Sequence, residues 1–137
     1  MVNVIVAADS RYSVNREALQ EAARVALESH NVRGNVEMEV NIVGDRKMHE
    51  LNKAYRGLDY AADILTFAME DPNPQNVQRT RPTGFVASPD KVLRLGSILI
   101  SYPKAVENAA MEQKSVEEEI CFLMEHGINH LLGIHHG

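Results

Sequence analysis

Tryptophan is absent from this 137-residue chain, and cysteine occurs once, as Cys121. A single thiol closes no internal disulfide. Aromatic residues make up only 5% of the chain, which argues against a broad base-stacking platform. Positive charge is in deficit. Fourteen Lys and Arg face nineteen Asp and Glu, for a formal net charge of −5. Such a chain has no global attraction for nucleic acid, and any RNA binding needs a local basic patch. Long apolar runs are also missing, so no transmembrane helix is expected. Met1 to Ser10 is apolar but short, with no basic region before it. It reads as a strand rather than a signal peptide. These absences together fit the cytoplasm.

What is present is ordinary globular material, with 45% hydrophobic and 24% charged residues. The length suits a single domain, 1–137. Val2 to Ala7 reads as a buried strand. Ser13 or Asn15 caps a helix running to about Ser29, with Leu19, Ala22, Ala23, Ala26 and Leu27 on its apolar face. Val36, Met38, Val40 and Ile42 alternate with Glu37, Glu39 and Asn41, the pattern of a half-exposed strand. Gly44 turns the chain, Asp45 caps a helix from Arg46 to Arg56, and Gly57 stops it. Asp63 to Ala68 and Arg94 to Ser101 are further short apolar runs. Four of the five prolines fall between Asp71 and Lys91, which reads as a long loop. Pro103 suits the first turn of a helix ending near Lys114. Ser115 and Glu118 form a capping box for a last helix. Val116, Ile120, Leu123, Met124, Ile128, Leu131 and Leu132 recur along it at helical spacing. Cys121 falls in this helix as a core residue, and Glu117, Glu118 and Glu119 read as a solvated start near the positive end of the macrodipole. The expected fold is α+β: a small mixed sheet of about four strands packed with helices, the last of them near the C-terminus. Strand order cannot be read from the pattern.

The last helix carries the chemistry. His126 and His130 lie four residues apart, so both imidazoles share one face, about 6 Å apart along the axis. Gly133 permits a left-handed exit, and the reversal can return His136 toward the pair. Three converging neutral imidazoles suit one Zn²⁺ with a fourth position open. The spacing of His126, His130, Gly133 and His136 is that of the long zincin-like motif H-E-x-x-H-x-x-G-x-x-H. Gly127 stands where the peptidase carries its general-base Glu, and glycine cannot take a proton from water. Metal geometry is kept while peptidase chemistry is put in doubt.

Three blocks, in matching order, resemble the YbeY family. His126-Gly127-Ile128-Asn129-His130-Leu131-Leu132-Gly133-Ile134-His135-His136 resembles its H-G-x-x-H-L-x-G-x-D-H. Asn52-Lys53-Ala54-Tyr55-Arg56 followed by Asp63-Ile64-Leu65-Thr66-Phe67 resembles N-x-x-Y-R and T-D-V-L-S-F. Leu95-Gly96-Ser97-Ile98-Leu99-Ile100-Ser101 resembles L-G-D-I-x-I-S. Departures are His135 for an Asp, Ser97 for an Asp and Ala62 for a Thr.

The resemblance implies a metal-dependent endoribonuclease specific for single-stranded RNA, acting in ribosomal RNA maturation and ribosome quality control. Its implied partners are ribosomal RNA and small-subunit ribosomal proteins. It implies one zinc ion on His126, His130 and His136, and a functional arginine at Arg56. A guanidinium at a helix end presents a planar fork to phosphate oxygens. His135 is available as acid or base near neutral pH, or as a ligand in place of His136. Arg46, Lys47, Lys53, Arg56, Arg79 and Arg81 are candidates to line an RNA groove, with binding directed at the backbone and weakened by salt. Two other readings stay open. One is a zinc peptidase-like hydrolase. The other is a non-catalytic ribosome-associated factor whose zinc is structural and closed by a fourth ligand such as His135.

Overall fold

The computed structural model describes residues 1–32, 34–68 and 92–133. Four strands and four helices follow one another along them: β1 (Val2–Ala8), α1 (Arg16–Ser29), β2 (Val36–Val43), α2 (Asp45–Arg56), β3 (Ile64–Ala68), β4 (Leu93–Ser101), α3 (Tyr102–Glu112) and α4 (Val116–Leu131). The expected α+β class and mixed sheet are what forms. The Pro-rich stretch from Asp71 to Lys91 lies outside the described residues.

The sheet order is β1-β2-β4-β3. β1 and β4 both run parallel to β2, while β3 closes the edge antiparallel to β4. β4 sits inside the sheet because its residues are apolar on both faces; Leu95, Ile98, Leu99 and Ile100 are all buried. β1 corrects an expectation. It is an edge strand, and only Val4 and Val6 are buried in it.

One face of the sheet carries the larger core. Val36, Met38, Val40, Ile42, Ile98 and Ile100 meet Leu19, Ala23 and Leu27 of α1 and Ile120, Leu123, Met124 and Ile128 of α4. Each such side chain, fully buried, contributes roughly 1.5–3 kcal/mol relative to exposure. The other face is covered locally by α2, where Met48 packs with Leu65, Leu99 and Ala62. Helix α4 is thus pinned to the sheet by its apolar stripe, which turns the opposite flank outward.

Local signals explain most boundaries. Asn15, not Ser13, caps α1 by accepting from the Ala18 amide at 3.0 Å. Asp45 does not cap α2: Gly44 holds that position, and Asp45 is the first helical residue. Its carboxylate instead accepts from the buried Ser101 Oγ at 2.7 Å, and that same oxygen caps α3 at the Lys104 amide. Ser101 therefore ties the starts of two helices together. The Ser115–Glu118 capping box forms as expected. Gly57 and Gly133 both adopt the left-handed conformation at helix exits.

Gly96 answers a tighter demand. Its φ is +144°, and a β-carbon there would stand 2.1 Å from the Phe67 carbonyl oxygen. The β2–β4 register shifts beside it, between Glu37 and Met38. A bulge in β4 lets the edge strand β3 close in where only glycine fits.

Candidate functional site

Helix α4 positions the first pair of candidate ligands. Gly127 between them faces the sheet, against Ile98 and Ile64. With Gly127 and Ile128 buried, His126 and His130 are left exposed on the flank that faces α2 and β3 across a cleft. Their Nε2 atoms are 3.2 Å apart and their ring planes cross at 76°. Two nitrogens each bound at about 2.0–2.1 Å to a tetrahedral zinc stand roughly 3.3 Å apart, so this pair fits two positions of one such ion. Among the described residues, no group of three His, Cys, Asp or Glu side chains converges on one point. His135 and His136 lie outside the described residues.

The two histidines border an open cleft of about 850 Å³. Arg56, the last residue of α2, stands on the same wall system, and Gly57 turns the chain away immediately after it. Lys104 from the first turn of α3 adds a second cation that the sequence reading had not singled out. Asp63 and Asn108 complete the polar lining, while Tyr55, Tyr60 and Phe67 supply apolar area. The expected basic groove is only partly realised. Of Arg46, Lys47, Lys53 and Arg56, only Arg56 lines the cleft. Arg46 lies 3.6 Å from Glu50 one turn along its own helix, and Lys53 lies 4.0 Å from Asp59. Arg79 and Arg81 lie outside the described residues.

Several supporting residues received no role from sequence reasoning. Asn52, quoted in the second family block, is fully buried, and its Nδ2 donates to the Tyr60 carbonyl at 2.9 Å. That bond fixes the loop after α2 which forms one lip of the cleft. A second tie holds the same loop, between His49 Nε2 and Asp59 Oδ1 at 2.6 Å. This hydrogen bond, with Lys53 nearby, holds the Asp59 carboxyl below the usual carboxylate range. A signal for Asn52 did exist: it stands four residues after the buried Met48, where helical period calls for an apolar side chain.

Glu119 overturns the expectation of a solvated acidic helix start. It is 2% exposed. Its Oε1 lies 2.7 Å from Lys114 Nζ, and its Oε2 accepts from Asn108 Nδ2 at 3.3 Å. Asn108 Nδ2 is also 3.4 Å from Asp63 Oδ2. A chain of polar contacts thus runs from the buried carboxylate to the cleft. Glu119 and then Glu112 hold the Lys114 ammonium above the usual lysine range. Cys121, expected in the core, is half-buried, and burial pushes its thiol up. Ser97, at the position of the family's Asp, donates to Glu39 Oε2 at 3.1 Å.

Comparison with known proteins agrees with this architecture. The family model described as Endoribonuclease YbeY matches residues 5–137. An endoribonuclease YbeY from Dehalococcoides mccartyi is 38% identical over 135 residues, covering 98% of this chain and 77% of that protein. One from Moorella thermoacetica is 38% identical over 128 residues, covering 91% and 78%. One from Roseiflexus castenholzii is 35% identical over 136 residues, covering 99% and 79%. The solution structure of TM1509 from Thermotoga maritima superposes with a TM-score of 0.59 at 25% identity, over 98% of this chain and 75% of that one.

Proposed function

The chain belongs to the endoribonuclease YbeY family, hydrolases of RNA phosphodiester bonds, and from that premise we propose that it cleaves single-stranded RNA, ribosomal RNA above all, with one zinc ion held by His126, His130 and His136. The observation that carries this reading is the 3.2 Å approach of the His126 and His130 Nε2 atoms beside a cleft that also holds Arg56. A zinc ion held there supplies Lewis-acid polarisation and an activated water.

The protein's own residues do the rest. Arg56 binds the scissile phosphate through its planar N–H fork and stabilises negative charge on the phosphoryl oxygens as it develops. Lys104 adds a second positive charge on the same cleft and orients the strand. Asp63 is kept in place by Asn108, whose amide is itself held by Glu119. His135 is assigned proton transfer at the scissile phosphate. The ribosomal setting and the zinc identity rest on the family reading.

The peptidase alternative loses ground on packing as well as on residue type. Position 127, where a zinc peptidase carries its base, lies against Ile98 and Ile64 and has no room for a carboxylate aimed at the cleft. The test combines metal analysis with cleavage assays. Zinc-loaded protein should cut single-stranded RNA, lose that activity on chelation, regain it with zinc and leave casein intact. Cleavage indifferent to chelation would overturn the metal's role, and casein cleavage would favour the peptidase. Firmly held zinc with no RNA cleavage would favour the structural role.

A further inference from the structure

The chain has four tyrosines and three phenylalanines and no tryptophan. Three of those seven, Tyr55, Tyr60 and Phe67, line the one cleft that holds Arg56 and the histidine pair. Tyr55 is 68% exposed and Tyr60 53% exposed. Singly exposed apolar side chains such as Val25 or Met111 are normal for a protein surface. Two large aromatics open to solvent on the walls of one concave site are a different matter.

The Tyr55 ring and the Tyr60 backbone are also held in position. Tyr55 meets the ring edge of Phe67 at a centroid distance of 5.2 Å and an angle of 72°, so one neighbour orients it from the β3 side. Tyr60 sits in the loop tied down by Asn52 at its carbonyl and by the His49–Asp59 bond one residue earlier. Ordered aromatic surface presented to water costs little to desolvate and little entropy to use.

We infer that Tyr55 and Tyr60 form a stacking subsite for unpaired nucleobases of the RNA strand whose phosphate lies on Arg56. The inference rests on the ribonuclease reading and adds to it a means of selecting single strands. Tyr55 and Arg56 both line the cleft, so a base contact and a phosphate contact are offered within one site. A base within a duplex has both faces covered by its neighbours and cannot lie on a protein ring. An unpaired base can, and stacking tolerates any of the four bases because each has a π-face. A local pair of rings does this without the broad aromatic platform that the composition excludes.

The test compares two probes of equal length and charge: a short single-stranded oligoribonucleotide and its abasic ribose-phosphate counterpart. Their affinities are measured at one salt concentration for the wild type, Tyr55→Ala, Tyr60→Ala and Tyr60→Phe. Each alanine variant is expected to lose at least fivefold in affinity for the base-bearing strand, on the order of the effect of one base–aromatic contact. Affinity for the abasic strand should be unchanged, and Tyr60→Phe should bind as the wild type does. Equal losses on both probes, or no loss on either, would overturn the subsite. A second measurement needs no variant. Tyrosine emission, unmasked by tryptophan, should be quenched by the base-bearing strand and not by the abasic one; equal emission with both would also overturn it. A wild type that binds neither probe would instead overturn the RNA reading, and the subsite with it.

Discussion

Gly127 of α4 lies flat on Ile98 of β4: a β-carbon at that position would stand 2.9 Å from the Ile98 Cγ2 and 3.0 Å from the Ile64 Cδ1. The helix can approach the sheet this closely only because the residue after His126 has no side chain. That approach fixes the helix rotation and points His126 and His130 into the cleft. Gly127→Ala sets overpacking of about 1–3 kcal/mol against a gain of about 1 kcal/mol in helix propensity. The expected net is a loss of about 1 kcal/mol. Gly127→Glu, which forces a carboxylate into the same contact, should cost about 3 kcal/mol or more. Urea midpoints at constant slope measure both. A Gly127→Glu protein as stable as the wild type would show that α4 does not pack as described.

Gly96→Ala should be more damaging than Gly127→Ala. The φ of +144° disfavours any side chain, and the Phe67 carbonyl lies 2.1 Å from the β-carbon position. We expect a loss of at least about 3 kcal/mol, combining backbone strain with overpacking. Amide hydrogen exchange should locate the loosening in β3 and the adjoining part of β4. Unchanged protection there would contradict the bulge.

Arg56→Ala should leave zinc content intact and lower RNA cleavage at least tenfold, which corresponds to about 1.4 kcal/mol of barrier. Arg56→Lys should restore only part of it, because a point charge replaces a two-toothed contact. His126→Ala and His130→Ala should lose zinc and activity together. Full cleavage by purified Arg56→Ala protein would remove Arg56 from the mechanism.

Lys114→Met should destabilise the fold, since it strands the buried Glu119 carboxylate without its cation. Adding Glu119→Gln to that variant should recover part of the loss. The raised Lys114 pKa makes the pair's contribution complete below the unfolded lysine value of about 10.4 and lost as pH rises through the folded value. Thermal melting from neutral to strongly alkaline pH should show that decline in the wild type and a weaker one in the double variant. Parallel curves would mean the ion pair adds nothing.

Glu118 behaves in the opposite sense. Hydrogen bonding to Ser115 holds its carboxyl below the usual glutamate range. Its contribution is present above the unfolded value of about 4.3 and disappears as pH falls through the folded one. Glu118→Gln keeps an acceptor for the Ser115 amide and removes the charge. The variant should melt below the wild type at neutral pH, where the ionised carboxylate contributes, and show a shallower decline in acid, so that the two converge there. An identical acid decline would place the sensitive group elsewhere.

Much of the fold was legible because its signals are local. Val36 to Ile42 alternates cleanly, Ser115 and Glu118 form the box their spacing implies, and Gly57 and Gly133 end helices as their position suggests. Asn15 rather than Ser13 caps α1, and Asp45 is diverted to Ser101, because two plausible local partners compete and only the packed chain chooses. Glu119 was misread for a related reason. Three consecutive glutamates look alike in sequence, yet helical phase turns the third toward Lys114 and Asn108.

The order of the elements, the α+β class and the shared face of His126 and His130 follow from the sequence by itself, since each depends on propensity and periodicity within a few residues. Strand order, the burial of Gly127 on Ile98 and the meeting of α2, β3, α3 and α4 around one cleft belong to the tertiary structure. Those depend on contacts between residues far apart in the chain, such as Asn108 with Asp63 and Tyr55 with Phe67. Periodicity tells which way a side chain faces, but only packing decides what it faces.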